Sequence, residues 1–248
     1  MKRDARTTNH EPRTSPALRV VRDAIVSCGR CPRLRDYCAA IAREKRRAYR
    51  DDVYWGKPVP GFGDPRARLL LVGLAPAAHG ANRTGRVFTG DGIGGSGDFL
   101  MGALHRAGFA NIATSQHPDD GLELRDAFIA AAVRCAPPDN KPTPEEIARC
   151  LPHLAAEIAA LPRVRVVVAL GKIAFDAYLR LAKESGPAVR PRPAFGHGSV
   201  ARLACPDVGR CAQRPGEVVR QPHRSRAPRA GLPFVSKPVV YQPAMRRR

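Results

Sequence analysis

The sequence predicts an α/β fold with a parallel sheet at its centre. Three short apolar runs, residues 67–72, 128–133 and 163–170, are typical of buried strands. Each run is followed by a segment with apolar residues at helical spacing. This alternation of strand and helix is typical of right-handed βαβ units on a parallel sheet.

Helical periodicity predicts the segments around these strands. Apolar residues recur at helical spacing in residues 18–25, 33–50, 98–107 and 172–183. A further helix begins at Thr143, because Pro144 follows this residue and Glu146 stands three positions after it. That arrangement is a capping box with proline at the first helical position.

The ends of the chain differ in character from its middle. Residues 1–16 are polar, basic and proline-bearing, so we expect a disordered basic arm. Residues 17–203 carry the alternating elements and form one domain in this interpretation. Residues 204–248 are rich in Arg and Pro and have no sustained period, so we expect a largely disordered tail.

The charge of the chain points to an anionic partner. It has 42 Lys and Arg against 22 Asp and Glu, a net charge of +20 over 248 residues. DNA or RNA fits best, because Lys and Arg contact phosphates and release counterions. A membrane is disfavoured, since no apolar run approaches the roughly 20 residues of a membrane span. No apolar segment of a signal peptide follows the basic start, so we expect a cytoplasmic protein with its seven cysteines reduced. We also expect a monomer.

The loop after the first strand, residues 73–91, concentrates polar side chains at the place where open α/β folds carry their sites. Its polar residues are His79, Asn82, Arg83, Thr84, Arg86 and Asp91. A single aromatic residue, Phe88, stands among them. A glycine-rich connection with a solvated face is the alternative, but it gives no reason for so many donors beside one aromatic ring.

Four cysteines have the spacing of a metal site. Cys28 and Cys31 form a C-x2-C pair, and Cys135 and Cys150 stand at the end of a predicted strand and inside the next helix. Four thiolates suit zinc or an iron–sulfur cluster, and spacing alone does not separate the two. Buried free thiols are the alternative. The other cysteines, Cys38, Cys205 and Cys211, are extra to this set.

These motifs together resemble the family 5 (type B) uracil-DNA glycosylases. The string GLAPAAHGANRTGR at residues 73–86, continued by FTGD at residues 88–91, is similar to the first motif of that family. The string RCAPPDNKPT at residues 134–143, followed by Cys150, resembles the second. Residues 54–64 are also similar to a family segment, and the resemblance covers roughly residues 18–200.

The resemblance implies a three-layer αβα fold around a four-stranded parallel sheet. It also implies a [4Fe–4S] cluster on Cys28, Cys31, Cys135 and Cys150, which favours iron–sulfur over zinc. The implied reaction is hydrolysis of the N-glycosidic bond of deoxyuridine in DNA, leaving an abasic site. Other deaminated bases, such as hypoxanthine, are implied substrates as well.

Individual residues suit the binding of a base that has left the DNA stack. Phe88 is the candidate stacking ring, with a core role as the alternative. Asn140 has the amide donor and acceptor needed to read a uracil edge, although it can instead cap a turn. The backbone near Gly73 and Ala75 would approach the base closely, and at Ala75 several sister families carry an activating acid or amide.

The remaining candidates concern catalysis and DNA contact. Water would be positioned by Asn82, His79 or Asp91, with Asn82 and Asp91 together as the preferred pair. His79 can instead bond the loop backbone. Arg83 and Arg86 would grip phosphates, and a salt bridge that braces the loop is the alternative for both.

The sequence departs from the family near its end. The family's His-Pro-Ser turn is missing, and residues 221–225 carry a scrambled version at about the expected distance. The alternative function is therefore an iron–sulfur protein that binds damaged DNA with impaired turnover. A nucleotide-binding role is disfavoured, because the chain has neither a Walker pattern nor G-x-G-x-x-G in the loop.

Overall fold

The computed structural model describes residues 15–185 and 192–201. Its helices are α1 (Pro16–Val26), α2 (Pro32–Glu44), α3 (Ala81–Thr84), α4 (Ser96–Arg106), α5 (Pro144–Ala159) and α6 (Lys172–Ser185). Its strands are β1 (Phe62–Gly63), β2 (Leu69–Gly73), β3 (Ala127–Ala131) and β4 (Val166–Ala169). Two 3-10 turns cover Arg47–Tyr49 and Pro138–Asn140. The predicted basic arm lies mostly, and the tail wholly, outside the described residues.

The strands form one four-stranded sheet in the order β1-β3-β2-β4. The predicted strands β2, β3 and β4 are parallel, and this part of the prediction is confirmed. The prediction that all four strands run parallel is wrong for the described sheet, because β1 pairs with β3 in the antiparallel direction. A strand of two residues, one of them glycine, has no apolar run, so no sequence pattern predicts it. An antiparallel edge also needs no crossover helix.

The three-layer arrangement follows from the alternation of side chains along the strands. Leu70 and Val72 of β2 face a core shared with α1, α5 and α6, and both are fully buried. Leu71 points to the opposite face, where Met101 of α4 lies in the second core. Helices therefore cover both faces of the sheet, as a parallel sheet requires.

The beginning of α5 has the predicted capping box. The Thr143 side chain accepts a hydrogen bond from the Glu146 backbone N–H, and the Glu146 carboxylate accepts one from the Thr143 N–H. The helix packs on the sheet through Leu151, Leu154 and Ile158. This cap fixes where α5 begins after the loop that follows β3.

A buried ion pair ties α5 to the end of β3. Arg134 Nη2 lies 2.7 Å from Glu157 Oε2, with the two side chains 1% and 3% exposed. Glu157 Oε1 accepts a hydrogen bond of 2.7 Å from the Gly61 backbone N–H. The loop before β1 is thereby held to the same point of the sheet. No described helix is both long enough and apolar enough to cross a bilayer.

His153 on α5 makes the stability of the fold dependent on pH. Burial and the charges of Arg134 and Arg30 lower the pKa of His153 to about 4. The unfolded chain has an ordinary histidine pKa near 6.5, so it binds the proton first as pH falls. The contribution of His153 to the free energy of unfolding is therefore constant above about pH 7 and falls between about pH 6.5 and 4, by at most about 3 kcal/mol.

We expect His153→Leu to remove this dependence, because leucine does not titrate. The fold should tolerate leucine, since the buried Nε2 has no hydrogen-bond partner within the described part of the chain. Urea unfolding at pH 7 and pH 5 measures the difference. The matched control is His105→Gln on the exposed side of α4, which should keep the fall in stability. A fall of the same size in His153→Leu would contradict the assignment.

Candidate active site

The site lies at the carboxyl ends of two neighbouring parallel strands. Gly73 at the end of β2 pairs with Ala131 at the end of β3. The pairing continues past the strands, since the Ala132 N–H donates to the Gly73 carbonyl and the Val133 N–H to the Leu74 carbonyl, both at 2.9 Å. The loop after β2 and the loop after β3 therefore leave the same edge of the sheet together.

Phe88 lies directly against Gly73. A Cβ atom at Gly73 would come within 2.8 Å and 2.9 Å of two ring atoms of Phe88, so only glycine allows this contact. Gly97 gives similar space to the Phe88 carbonyl, where a Cβ would collide. Phe88 also has a φ of 52°, which is strained for an aromatic residue. The structure holds this ring at the strand end against the local backbone preference, as functional sites often do.

Asp91 lies against the turn that begins α3. A Cβ at Gly80 would collide with Asp91 Oδ1, so this glycine admits the carboxylate to the turn. The other oxygen, Oδ2, accepts a hydrogen bond from the Ser96 hydroxyl. Asp91 is thus held against the turn that begins α3, and its role in catalysis stays a prediction.

His79 is half-buried and contacts Tyr54. Its Nδ1 lies 3.0 Å from the Tyr54 hydroxyl, and the two rings meet edge to face. Burial, with the positive charges of Arg46 and Arg83, holds the pKa of His79 below its usual value. His79 is therefore neutral at physiological pH. No sequence pattern connects Tyr54 with this histidine, because the two residues are 25 positions apart.

Arg83 braces the loop from within. Its side chain is 8% exposed, and Nη1 pairs with Asp52 at 2.5 Å. Nη2 donates to the Gly90 carbonyl and Nε to the His79 carbonyl, at 2.8 Å and 2.9 Å. The guanidinium also lies over the Tyr49 ring, 3.9 Å from its centre.

Arg86 is held in the same way on the other side. Its side chain is 8% exposed, and Nη2 pairs with Asp120 at 2.7 Å. Further donors reach Thr89 Oγ1 and the Pro118 carbonyl. Phosphate contact by Arg83 or Arg86 would require moving a buried guanidinium out of its ion pair. The structure therefore supports the bracing alternative, and the two arginines are not placed to grip DNA.

Asn82 lies behind the loop, fully enclosed. Its Nδ2 donates to the carbonyls of Cys38 and Ala78, at 3.4 Å and 3.3 Å. The buried Oδ1 has no partner among the described residues. A side chain that solvent does not reach is poorly placed to position water, so the structure gives Asn82 a role in holding the loop to α2. Of the predicted pair, only Asp91 has an accessible position.

Two other predicted residues, Asn140 and Ala75, lie in the loops after the strands. Asn140 is exposed in the turn Pro138–Asn140 and has a φ of 58°, a conformation that asparagine tolerates better than most residues. Its backbone N–H donates to the Pro137 carbonyl, so the turn is closed by the main chain and not by the side chain. Ala75 is partly buried against the cluster of cysteines below the loop.

The four predicted cysteine ligands lie in one region. Cys31 is the residue before α2, and burial together with the charges of Cys135, Glu146 and Cys28 raises its pKa. Burial raises the pKa of Cys150 to about 11, against the opposing charge of Arg134. The Arg134 backbone N–H donates to Cys150 Sγ at 3.3 Å.

A fifth thiol belongs to the same region. Cys38 is fully buried and hydrogen-bonded to Cys135, and this contact with burial raises the pKa of Cys135. Within residues 15–185 and 192–201, no group of three or more Cys, His, Asp or Glu side chains has an arrangement that could hold a metal ion. The ligand set Cys28, Cys31, Cys135 and Cys150 therefore stays a prediction. The sequence did not indicate Cys38, because its contact with Cys135 joins distant parts of the chain.

Comparison with known proteins identifies the family. A family model described as the uracil DNA glycosylase superfamily matches residues 60–231. The chain belongs to the uracil DNA glycosylase superfamily. The match includes the loop at Gly73, Phe88 and Asp91 and the loop that follows β3.

Relatives within the superfamily are similar over most of the chain. A "Type-5 uracil-DNA glycosylase" of Mycobacterium tuberculosis is 52% identical over 183 residues, 73% of this chain and 66% of the relative. One of Thermus thermophilus is 53% identical over 155 residues, 62% of this chain and 68% of the relative. A "Type-4 uracil-DNA glycosylase" of Archaeoglobus fulgidus is 32% identical over 137 residues, 54% and 59% of the two chains. The chain thus spans slightly less than two thirds of the Mycobacterium tuberculosis protein.

The contact between Gly73 and Phe88 gives a direct test of the superfamily site in this chain. We expect Gly73→Ala to displace the Phe88 ring and to lower kcat/KM for base release by about a hundredfold, as a misplaced catalytic contact does. Release of uracil from a labelled oligonucleotide measures this. The variant should remain folded at the assay temperature, as thermal unfolding checks, so that unfolding does not account for the loss of kcat/KM.

The matched control is Gly102→Ala in the interior of α4. A Cβ there meets no atom closer than 3.5 Å, so the substitution is accommodated and stabilises the helix slightly. Full activity in both variants would show that Phe88 need not lie against the strand end.

Proposed function

We propose that this chain is a DNA repair glycosylase that hydrolyses the N-glycosidic bond of deoxyuridine in DNA and leaves an abasic site. The observation that carries the proposal is the Phe88 ring, held on Gly73 at the end of β2 with strained backbone. The names of the relatives support the activity, and they favour an enzyme over a protein that binds damaged DNA without turnover. Hypoxanthine is proposed as a further substrate, and the enzyme as a monomer.

The extruded base is held by a ring and by edge contacts. Uracil loses its stacking neighbours when it leaves the duplex, and the face of Phe88 replaces one of them. Backbone groups near Gly73 and Ala75 lie beside the ring. Asn140, exposed in the next loop, has an amide that matches the donor and acceptor pattern of the uracil edge.

The reaction needs charge stabilisation more than a strong base. The bond between C1′ and N1 breaks with its electron pair on the uracil, while positive charge develops on the sugar. The Asp91 carboxylate stabilises that sugar and orients a water, whose oxygen bonds to C1′. The proton of this water passes to bulk solvent, and the uracil anion takes up a proton in turn. The hydrogen bond from Ser96 fixes the carboxylate in place.

His79 supplies a neutral donor to this site. When the Tyr54 hydroxyl donates to Nδ1, the neutral ring carries its proton on Nε2. That N–H can donate to a uracil carbonyl oxygen as negative charge develops on the base. The lowered pKa of His79 favours this neutral form.

We propose further that Cys28, Cys31, Cys135 and Cys150 hold a [4Fe–4S] cluster. The thiol donor set is chemically suited to iron–sulfur ligation, and its members influence each other's ionisation. The Arg134 N–H bond to Cys150 Sγ is of the kind that supports a ligating sulfur. Such a cluster would join the start of α2, the end of β3 and α5 beneath the base-binding loop. The role of these residues is to brace that loop.

Asp91 is the residue whose replacement tests the proposed chemistry. The wild-type chain should release uracil from DNA, which alkaline cleavage of the resulting abasic site reveals. We expect Asp91→Asn to lower kcat by about a hundredfold or more with little change in KM, because only the transition state loses a charge partner.

The control is Asp119→Asn, since that carboxylate is 88% exposed in a neighbouring loop. It should retain wild-type rates. No base release from uracil-containing DNA by the wild-type chain would overturn the proposed function. An unchanged kcat in Asp91→Asn would remove Asp91 from the mechanism.

The cysteine set is tested by comparing two single substitutions. We expect Cys28→Ser to lose the broad absorbance near about 400 nm that iron–sulfur proteins show, together with most bound iron and sulfide. We expect Cys38→Ser to keep both, because Cys38 is not among the proposed ligands. Iron analysis and absorbance of the purified proteins measure this. If Cys28→Ser kept the absorbance and the iron while Cys38→Ser lost them, Cys38 would take the place of Cys28 in the ligand set.

A further inference from the structure

The turn that carries Asn140 has an unusual backbone. Asp139 and Asn140 have φ values of 52° and 58°, so two successive residues other than glycine adopt the left-handed conformation. Asn and Asp tolerate this conformation better than most residues, but it still costs free energy. Both residues are exposed, so burial of their side chains does not offset that cost. The turn therefore needs support from the surrounding structure.

Arg33 at the start of α2 supplies a donor to this turn, although it is 108 positions away in the sequence. Its Nη2 donates to the carbonyl of Lys141, the residue after Asn140, at 3.3 Å. Its Nε and Nη2 also donate to the two oxygens of the Glu146 carboxylate, each at 2.8 Å. A guanidinium that binds both oxygens of a carboxylate is fixed in position and direction. Arg33 therefore presents a well-oriented donor to the turn.

Glu146 holds the other end of the same segment. Its carboxylate accepts a hydrogen bond of 2.8 Å from the Thr143 backbone N–H, and its side chain is 7% exposed. The hydrogen bonds from Arg33 hold the pKa of Glu146 below its usual value, so the carboxylate is ionised at neutral pH. The chain is thus held at Lys141 and at Thr143, directly after Asn140.

A second residue of α2 lies close to the turn. Tyr37 is four residues after Arg33, so the two side chains share a face of the helix. Burial, with the nearby negative charge of Asp139, raises the pKa of Tyr37. That effect of charge requires the Tyr37 hydroxyl to lie near Asp139. One face of α2 therefore lies along the turn, and Arg33 is its member that bonds to the turn backbone.

We propose that Arg33 is a positioning residue, which holds the turn so that the Asn140 amide meets the edge of the extruded base. The proposal rests on the proposed function and on Asn140 as the group that reads the base. An amide that forms two hydrogen bonds with one base edge tolerates little displacement, because a shift of about 1 Å can cost about a hundredfold in rate. Arg33 acts through Asn140 and contacts neither the base nor the sugar.

The first measurement separates this role from a phosphate contact, since the Arg33 side chain is 47% exposed. We expect Arg33→Met to lower the single-turnover rate of uracil release about tenfold, because the Asn140 contact forms only after the base has left the stack. The Kd for a duplex with a non-hydrolysable deoxyuridine analogue should change less than about threefold. A weaker Kd with an unchanged rate would overturn the proposal.

Arg33→Lys separates geometry from charge. Lysine keeps the positive charge but lacks the planar fork that binds Glu146 and the Lys141 carbonyl together. We therefore expect Arg33→Lys to lose about as much of the single-turnover rate as Arg33→Met. A wild-type rate in Arg33→Lys would overturn the proposal, because charge alone would then be sufficient.

The matched control is Arg68→Met. Arg68 also donates through Nε to a carboxylate, that of Asp126, and its side chain is 63% exposed. This pair lies at the start of β2, at the opposite end of the strand from Gly73. We expect the single-turnover rate and the Kd of this variant to equal those of the wild type.

A double-mutant cycle tests whether Arg33 acts through Asn140. We expect Asn140→Ala to lower the single-turnover rate about a hundredfold, because the base edge loses its partner. Adding Arg33→Met to Asn140→Ala should then change the rate less than about twofold, since residues that act through one contact are not additive. A further loss of about tenfold in the double variant would overturn the proposal, because the two residues would then act independently.

Hydrogen exchange tests the turn itself and needs no turnover. The backbone N–H groups of Asn140 and Lys141 are hydrogen-bonded within the turn. We expect these two amides to exchange about tenfold faster in Arg33→Met than in the wild type, and at the wild-type rate in Arg68→Met. Equal exchange in all three proteins would overturn the proposal.

A last check concerns Cys31, which stands two residues before Arg33. Arg33→Met should remain folded at the assay temperature and should contain as much iron as the wild type. A loss of bound iron that matches the loss in rate would overturn the proposal, because Arg33 would then support the cysteine set.

These measurements separate the proposal from the proposed function. Faster exchange in Arg33→Met without uracil release by the wild-type chain would reject the glycosylase and support the hold of Arg33 on the turn. Uracil release by the wild-type chain at the same rate as by Arg33→Met would reject the positioning role and leave the glycosylase standing.

Discussion

The parallel pairing of β2 with β3 is the constraint on which the site depends. It sets Gly73 opposite Ala131, and two further backbone hydrogen bonds extend the register into the loops. A slip of one residue would turn Leu70 and Val72 away from their core, so the buried side chains enforce the register. The loop after β2 and the loop with Cys135 are therefore neighbours because of packing far below them.

Buried charge then gives the loop after β2 its shape. Arg83 and Arg86 each combine an ion pair with several carbonyl contacts, and their acceptors come from segments on both sides of the loop. For Arg86 and Asp120, whose side chains are both largely buried, removing one partner leaves a buried charge and typically costs about 3–5 kcal/mol. The glycines at positions 73 and 80 add the space that Phe88 and Asp91 require. The active-site geometry is thus preorganised by the protein itself.

Most of the fold and part of the site could be predicted from local sequence patterns. The apolar run of β2 and the capping box at Thr143 depend on neighbours in the sequence, and both were predictable. The antiparallel β1 was not, because two residues have no period. The partners Asp52 and Asp120 were also missed, since each pairs with an arginine about thirty residues away. Unless these two carboxylate partners are known, the sequence does not distinguish an arginine buried in an ion pair from an arginine that contacts phosphate.

The misassignment of Asn82 also has its cause in contacts between distant parts of the chain. Its place in the motif suggested chemistry, but only the packing of α3 against α2 shows that the amide is enclosed. Asp91 stays at the site because Gly80 admits its carboxylate, which is a contact across the loop. Exposure, and not residue type, separates the two candidates.

The central claim is that the Phe88 ring on Gly73 receives the extruded base. A crystal structure of the chain with duplex DNA containing a non-hydrolysable deoxyuridine analogue tests it most directly. The account predicts the uracil stacked on the Phe88 ring, with the sugar beside Asp91. A base bound elsewhere, or a Phe88 ring turned away from it, would contradict the account.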